Sequence, residues 1–123
     1  QAIYKRWKQI NKTGWIFNIG SIGEKSIVAP DPEFETYRVA KSALSHASKQ
    51  CTQAFKQNLV KFKTTLITPD RIDTPLSRSR DSWTGNGIGT KDIADFIEWC
   101  VQAQPNTAIE EVVLRVNLDY KEI

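Results

Sequence analysis

The order of hydrophobic patterns along the chain is the feature that most restricts its fold. Apolar residues recur at helical spacing at the start, and a turn signal at 11–14 ends that pattern. The segments that follow are, in order, a strand at 15–19 with apolar residues on both faces, a loop at 25–33, a helix from Phe34 to about Phe62, a strand at 63–68 ended by Pro69, a polar loop and possible lid at 70–90, a helix capped by Thr90, and a strand at 110–116. This alternation predicts an α/β fold with a parallel sheet covered by helices.

Size and composition are those of one soluble globular domain. The chain has 123 residues, 40% of them hydrophobic and 25% charged, which excludes disordered and fibrous classes. No apolar run reaches the roughly 18 residues of a membrane span, and the first residues lack the apolar core of a signal peptide, so we expect a cytoplasmic protein without a membrane partner. The net charge of +3 is mild and its basic residues are spread out, so no nucleic-acid partner is expected.

The few cysteine and histidine residues restrict the possible chemistry. Cys51 and Cys100 are far apart, too few for a disulfide framework and wrongly spaced for a metal site, so we expect two reduced thiols. His46 is the only histidine, which excludes a multi-histidine metal centre. The sequence therefore predicts no metal.

Candidate functional residues lie where the predicted strands end. Ligands of parallel sheets gather at the carboxyl ends of strands, which indicates Ser21 and the segment 69–74. Tyr37 and Lys41 stand four positions apart near the start of the next helix and share one of its faces. An ammonium group and a helix N-terminus both favour a phenolate, so Tyr37 could transfer a proton while Ser21 holds a substrate oxygen.

Four segments at these positions resemble one known family. They are GWIFNIGS at 14–21, YRVAK at 37–41, LITPDRIDT at 66–74 and TKDIADFIEW at 90–99. Together they resemble the short-chain dehydrogenases/reductases across nearly the whole chain. The resemblance implies a Rossmann-like, doubly wound parallel sheet and an NAD- or NADP-dependent oxidoreductase that interconverts a carbonyl and an alcohol.

The resemblance also assigns roles to matching positions. Tyr37 would be the catalytic acid/base, Lys41 would stabilise its phenolate and hold the nicotinamide ribose, and Ser21 would orient the substrate. Tyr37 and Lys41 would also bind the cofactor, together with three residues of the segment 69–74, namely Pro69 through the shape of the turn, Ile72 through its backbone, and Thr74. Family members commonly form homodimers or homotetramers.

The sequence departs from the family pattern at two places. Asp70 replaces a usual Gly, which puts a carboxylate beside the expected nicotinamide position. The family's Gly-rich phosphate-binding turn is missing, and the chain opens on Gln1 and contains no Met. We therefore expect residues 1–123 to be the C-terminal part of one domain, with its N-terminal dinucleotide-binding half absent and supplied by a longer chain or a second chain.

Other interpretations compete with an active enzyme. The protein could be a catalytically silent binding or scaffold protein with the same fold, or an extended-type sugar-nucleotide epimerase or dehydratase that uses the same Tyr and Lys. Tyr37 and Lys41 could also be an ordinary exposed pair, and Thr74 a simple helix cap. Three arginines, Arg71, Arg78 and Arg80, could meet an anionic ligand, although a solvated loop explains them better.

Overall fold

The computed structural model describes residues 2–9, 14–25, 32–57, 62–81, 83, 85–103 and 106–116. The elements, in chain order, are α1 (Ala2–Gln9), β1 (Gly14–Ile19), a 3-10 turn (Ile22–Lys25), α2 (Pro32–Gln57), β2 (Phe62–Pro69), α3 (Pro75–Arg78), α4 (Thr90–Gln102) and β3 (Glu111–Leu114). The predicted alternation of helix and strand is therefore confirmed. The predicted turn at 11–13 and most of the predicted loop at 25–33 lie outside the described residues.

The three strands form one parallel sheet in the order β1-β2-β3. Ile19 is paired with Ile67, and Pro69 with Leu114, so the carboxyl ends of the strands meet at one edge. β2 is the central strand and the most buried, with Leu66 and Ile67 at 1% and 0% exposure on opposite faces. A strand covered on both faces reads as a nearly continuous apolar and β-branched run, which explains the sequence FKTTLITP.

Helices lie on both faces of this sheet. α2 packs on the face that carries Asn18 and Thr64, since both side chains form hydrogen bonds with Ser48 of α2. Lys63 points to the other face, towards Cys100 of α4: burial raises the pKa of this thiol, and the charge of Lys63 acts in the opposite direction. The fold is thus an open α/β sheet of the Rossmann type, as predicted.

The prediction that β1 is buried on both faces is wrong. Its residues are half-buried, and Ile19 is 37% exposed. The reason is position, because within the described chain β1 pairs with β2 alone and forms an edge of the sheet.

Several predicted boundaries also differ from the structure. The long helix begins at Pro32 and ends at Gln57, and Phe62 is already the first residue of β2. The segment 70–90 is not only loop, since it contains α3. The cap of α4 is Gly89, with Thr90 as the first helical residue.

The aromatic residues divide between core and surface. Phe55 is buried, and its ring lies 5.7 Å from that of Phe62. Trp99 is 54% exposed, because it lies on the outer face of α4. Among the described residues, no helix combines the length and apolar character needed to cross a membrane.

Candidate functional site

Lys41 fixes helix α2 to the end of β1. Its Nζ donates a hydrogen bond of 3.0 Å to the main-chain oxygen of Ile19, the last residue of the strand. The ammonium group therefore lies at the carboxyl edge of the sheet, where open α/β sheets bind their ligands.

Tyr37 lies one helical turn before Lys41 on the same side of α2. The centre of its ring is 5.6 Å from Lys41 Nζ, which is within the range of a cation–π contact. Tyr37 is 39% exposed, so its ring is accessible from solvent. The structure therefore places the phenol and the ammonium group side by side at the end of β1.

Ser21 starts the segment that leaves β1. It stands two residues after Ile19, and its Oγ accepts a hydrogen bond of 3.1 Å from the main-chain N–H of Gly23. α2 packs against the 3-10 turn that begins at Ile22. Ser21 thus follows the strand end to which Lys41 is bonded, and Tyr37 lies beside Lys41.

The end of β2 supplies the second side of this edge. Gly20 donates its main-chain N–H to the oxygen of Ile67 at 2.7 Å, so the ladder between β1 and β2 continues one residue beyond β1. Pro69, the buried last residue of β2, lies at the level of Ser21 if the pairing of Ile19 with Ile67 is extended by two residues. The predicted cofactor segment therefore begins beside Ser21.

Ile72 and Thr74 are held by contacts within the segment. Ile72 forms an isolated parallel bridge with Ile88. Thr74 is the N-cap of α3, because its Oγ1 accepts a hydrogen bond of 3.2 Å from the N–H of Ser77. The capping role that the sequence offered as an alternative for Thr74 is therefore present, whatever else this residue does.

The three arginines of this region differ in their surroundings. Arg78 forms two hydrogen bonds with the carboxylate of Asp73, at 2.5 and 2.9 Å. These bonds hold the pKa of Asp73 below its ordinary value and raise that of Arg78. The guanidinium carbon of Arg71 lies 5.9 Å from the centre of the Trp83 ring, and Arg80 is exposed. Internal contacts thus engage Arg71 and Arg78.

A half-buried polar seam between α2 and the sheet was not predicted. We define it as Asn18, Ser48, Thr52 and Thr64. Asn18 Nδ2 donates to Ser48 Oγ at 3.2 Å, Thr64 Oγ1 bonds the main-chain oxygen of Ser48 at 3.5 Å, and the hydroxyls of Thr52 and Thr64 are in contact. The signal for it was the helical spacing that puts Ser48 two turns after Lys41 on one face. The seam fixes the rotation of α2, and so the direction in which Lys41 points.

Other candidate chemistry finds no support in the described part of the chain. Its His, Cys, Asp and Glu side chains form no group that could hold a metal ion. His46 is exposed and its Nε2 contacts Gln50 Nε2 at 3.0 Å. Both cysteines are free thiols, with Cys51 exposed and Cys100 buried. A cavity of about 110 Å³ lies at the opposite, amino end of β2, between Phe55 and Phe62, and is too small for a dinucleotide.

The chain is similar in sequence to an oxidoreductase and in fold to known dehydrogenases. No family model matches the sequence. An uncharacterized oxidoreductase of Staphylococcus saprophyticus is 31% identical over 109 residues, which cover 84% of this chain and 42% of the relative. A 4-hydroxyisoleucine dehydrogenase complexed with NADH has a TM-score of 0.70 at 27% identity, over 93% of this chain and 50% of its own.

An acetoin dehydrogenase of Enterobacter cloacae has a TM-score of 0.71 at 23% identity, over 99% of this chain and 52% of its own. At that identity it is similar in fold alone. The resemblance to the short-chain dehydrogenases/reductases is confirmed. The chain spans about half the length of the short-chain dehydrogenase/reductase structures and of the curated relative that it matches.

Proposed function

We propose that the protein is an NAD- or NADP-dependent oxidoreductase that interconverts a carbonyl and an alcohol on a small molecule. The observation that carries the proposal is the hydrogen bond from Lys41 to the oxygen of Ile19, because it supports an ammonium group, with Tyr37 one helical turn away, at the carboxyl edge of the sheet. The NADH held by a solved dehydrogenase of the same fold supports the class of cofactor.

The proposed roles follow from the chemistry of the three side chains. Ser21 Oγ donates a hydrogen bond to the carbonyl oxygen of the substrate and orients it. Tyr37 delivers its hydroxyl proton to the same oxygen during reduction, and takes it back during oxidation. After Tyr37 has given up its proton, the nearby ammonium group of Lys41 stabilises the phenolate that remains.

The residues present at this edge fit a nicotinamide nucleotide. An ammonium group has three N–H donors, and the bond to Ile19 uses one of Lys41's, so the others can reach ribose hydroxyls. Main-chain groups of Ile72 supply polar partners for a carboxamide on the neighbouring loop, and Thr74 Oγ1, which donates to Ser77 Oγ and accepts from Ser77 N–H, keeps one acceptor position for it. The nicotinamide, when bound, supplies or accepts the hydride.

The remaining parts of the enzyme belong to the proposal as well. We propose that residues 1–123 are the C-terminal part of one Rossmann-like domain, and that the dinucleotide-binding half comes from outside this sequence, on the same or a second chain. The complete protein is then a cytoplasmic homodimer or homotetramer.

The test is a turnover assay on the complete protein. Small alcohols and ketones are offered with NAD or NADP in both redox states, and absorbance of the reduced nicotinamide is followed. We expect turnover with the wild type, and for Tyr37→Phe a loss of kcat of at least about 100-fold, because acid/base groups contribute factors of this size. Cofactor binding, measured by fluorescence, should persist in the variant.

Tyr4→Phe is the matched control. Tyr4 and Lys8 are four positions apart in the sequence, as Tyr37 and Lys41 are. Tyr4→Phe should leave kcat unchanged. Cofactor binding without turnover on any substrate class would favour the silent scaffold, and full activity of Tyr37→Phe would refute the assigned role.

A further inference from the structure

Asp70 connects the ends of two strands through both its main chain and its side chain. Its main-chain N–H donates to the oxygen of Leu114 at 2.7 Å. Its carboxylate accepts from the N–H of Arg71 at 2.9 Å through Oδ1, and from the N–H of Val116 at 3.4 Å through Oδ2. We call these three contacts the Asp70 clasp.

The clasp replaces one rung of the parallel ladder. In a parallel pair, a residue donates its N–H to one partner residue and accepts, through its own carbonyl, from the N–H two residues further along. Asp70 follows the first half of this rule with Leu114, but meets the N–H of Val116 with its carboxylate. The side chain therefore satisfies the donor after β3 while the main chain turns away from the sheet.

The segment that starts at this turn is held on its other side by residues 87–88. Ile88 donates its N–H to Arg71 O and accepts from Asp73 N, both at 2.8 Å. Gly87 lies close to the main chain of residues 71–73. A Cβ added at this glycine would lie only 3.0 Å from Asp73 N. Residues 71–73 are thus fixed between the clasp on one side and a second main-chain pairing on the other.

We propose that Asp70 is a positioning residue, which sets the place of the 71–74 main chain against the nicotinamide. The inference rests on the proposed function, in which this segment meets the cofactor. The resembling family usually has Gly at this position, which offers no acceptor for either N–H, so the clasp is a device of this chain's own sequence. Both oxygens of the carboxylate accept from main-chain N–H groups. These bonds direct the negative charge of Asp70 towards β3 and away from the expected nicotinamide position.

The test compares Asp70→Asn and Asp70→Ala with Asp81→Asn in the complete protein. Asn keeps one acceptor oxygen and Ala keeps none, whereas Asp81 is an exposed carboxylate of the same loop whose replacement changes the charge equally. We expect the KM for the nicotinamide cofactor to rise about tenfold in Asp70→Ala and by a smaller factor in Asp70→Asn. In both variants kcat should change less than about twofold. Asp81→Asn should match the wild type.

Amide hydrogen exchange provides a readout that needs no activity. In Asp70→Ala, the amides of Arg71 and Val116 should exchange faster than in the wild type, and those of β1 should not change. Unchanged exchange at both amides overturns the clasp, and faster exchange with an unchanged cofactor KM overturns the positioning role. If the wild-type protein binds no cofactor, the proposed function fails, and faster exchange in Asp70→Ala still supports the clasp.

Discussion

Lys41 is the residue on which the proposed site most depends, because it contacts both the strand and the phenol. Its Nζ is bonded to Ile19 O and lies 5.6 Å from the centre of the Tyr37 ring. The sequence could predict this neighbourhood from the spacing of Tyr37 and Lys41 on one helix face. It could not predict the bond to Ile19, since that depends on how α2 is turned against the sheet.

Removing the charge of Lys41 should therefore damage catalysis more than folding. We expect Lys41→Met to lower kcat/KM by about 100-fold, because the phenolate loses its cation and the cofactor ribose loses a donor. Lys41→Arg should recover part of the rate, since it keeps the charge but not the compact ammonium.

Lys91 provides the control for this prediction. It pairs with Asp95 at 2.5 Å on the exposed face of α4, so Lys91→Met changes the net charge equally. Steady-state kinetics should show no loss for that variant. An unaltered kcat/KM in Lys41→Met would contradict the role of Lys41.

The two thiols should differ in reactivity and in their effect on stability. Burial raises the pKa of the Cys100 thiol, and the charge of Lys63 acts in the opposite direction. Because the folded pKa lies above the unfolded value of about 8.5, this contribution to stability is present below that pH and is lost as the pH rises through the folded value. A thiol reagent at neutral pH should label Cys51 and leave Cys100 unreacted until the protein unfolds.

Denaturant titrations at several alkaline pH values measure the contribution of Cys100 to stability. In the wild type, the free energy of unfolding should fall above about pH 9, and Cys100→Ala should reduce that slope. Labelling of Cys100 as fast as Cys51 in the native protein would contradict its burial.

The element that directs the site is helix α2, which the polar seam holds in one orientation. Ser48 is only 3% exposed and lies between Asn18 and Thr64 of the two strands it faces. A directional hydrogen bond in the interface restricts rotation of the helix more than apolar contacts do. A shift of the helix about its axis would move Tyr37 and Lys41 together.

Ser48→Ala should destabilise the protein by about 1–3 kcal/mol, because Asn18 loses its partner in a partly buried place. Denaturant unfolding measures the change, and Ser42→Ala, at an exposed position of the same helix, is the control. An unchanged free energy of unfolding in Ser48→Ala would show that the seam does not hold the helix.

The sequence predicted which elements exist better than where they end. Periodicity identified α2 and β2, but it could not separate the end of one from the start of the other, and Phe62 was assigned to the helix. α3 was missed because four residues are too short to show a helical period, although Thr74 and Pro75 form a start signal. The clasp at Asp70 was invisible because its partner, Val116, is 46 positions away.

On the scale of the whole molecule, the proposed site lies at the carboxyl end of β1, which forms an edge of the sheet in the described part of the chain. β1 carries a stacked pair of aromatic rings, Trp15 and Phe17, with centres 5.2 Å apart, and yet is only half-buried. The chain spans about half of the length of the relatives it matches, and in our proposal it provides one half of a doubly wound sheet. The switch point of such a sheet, where its ligands bind, lies between the two halves.

The central claim is that Ser21, Tyr37 and Lys41 meet around one nicotinamide ring at this edge. A crystal structure of the complete protein with the oxidised cofactor tests it most directly. We predict that Lys41 Nζ lies within hydrogen-bond distance of the ribose hydroxyls, and that Ser21 Oγ and Tyr37 Oη both face the reactive carbon of the ring. A cofactor bound elsewhere, or a Tyr37 hydroxyl directed away from Ser21, would contradict the account.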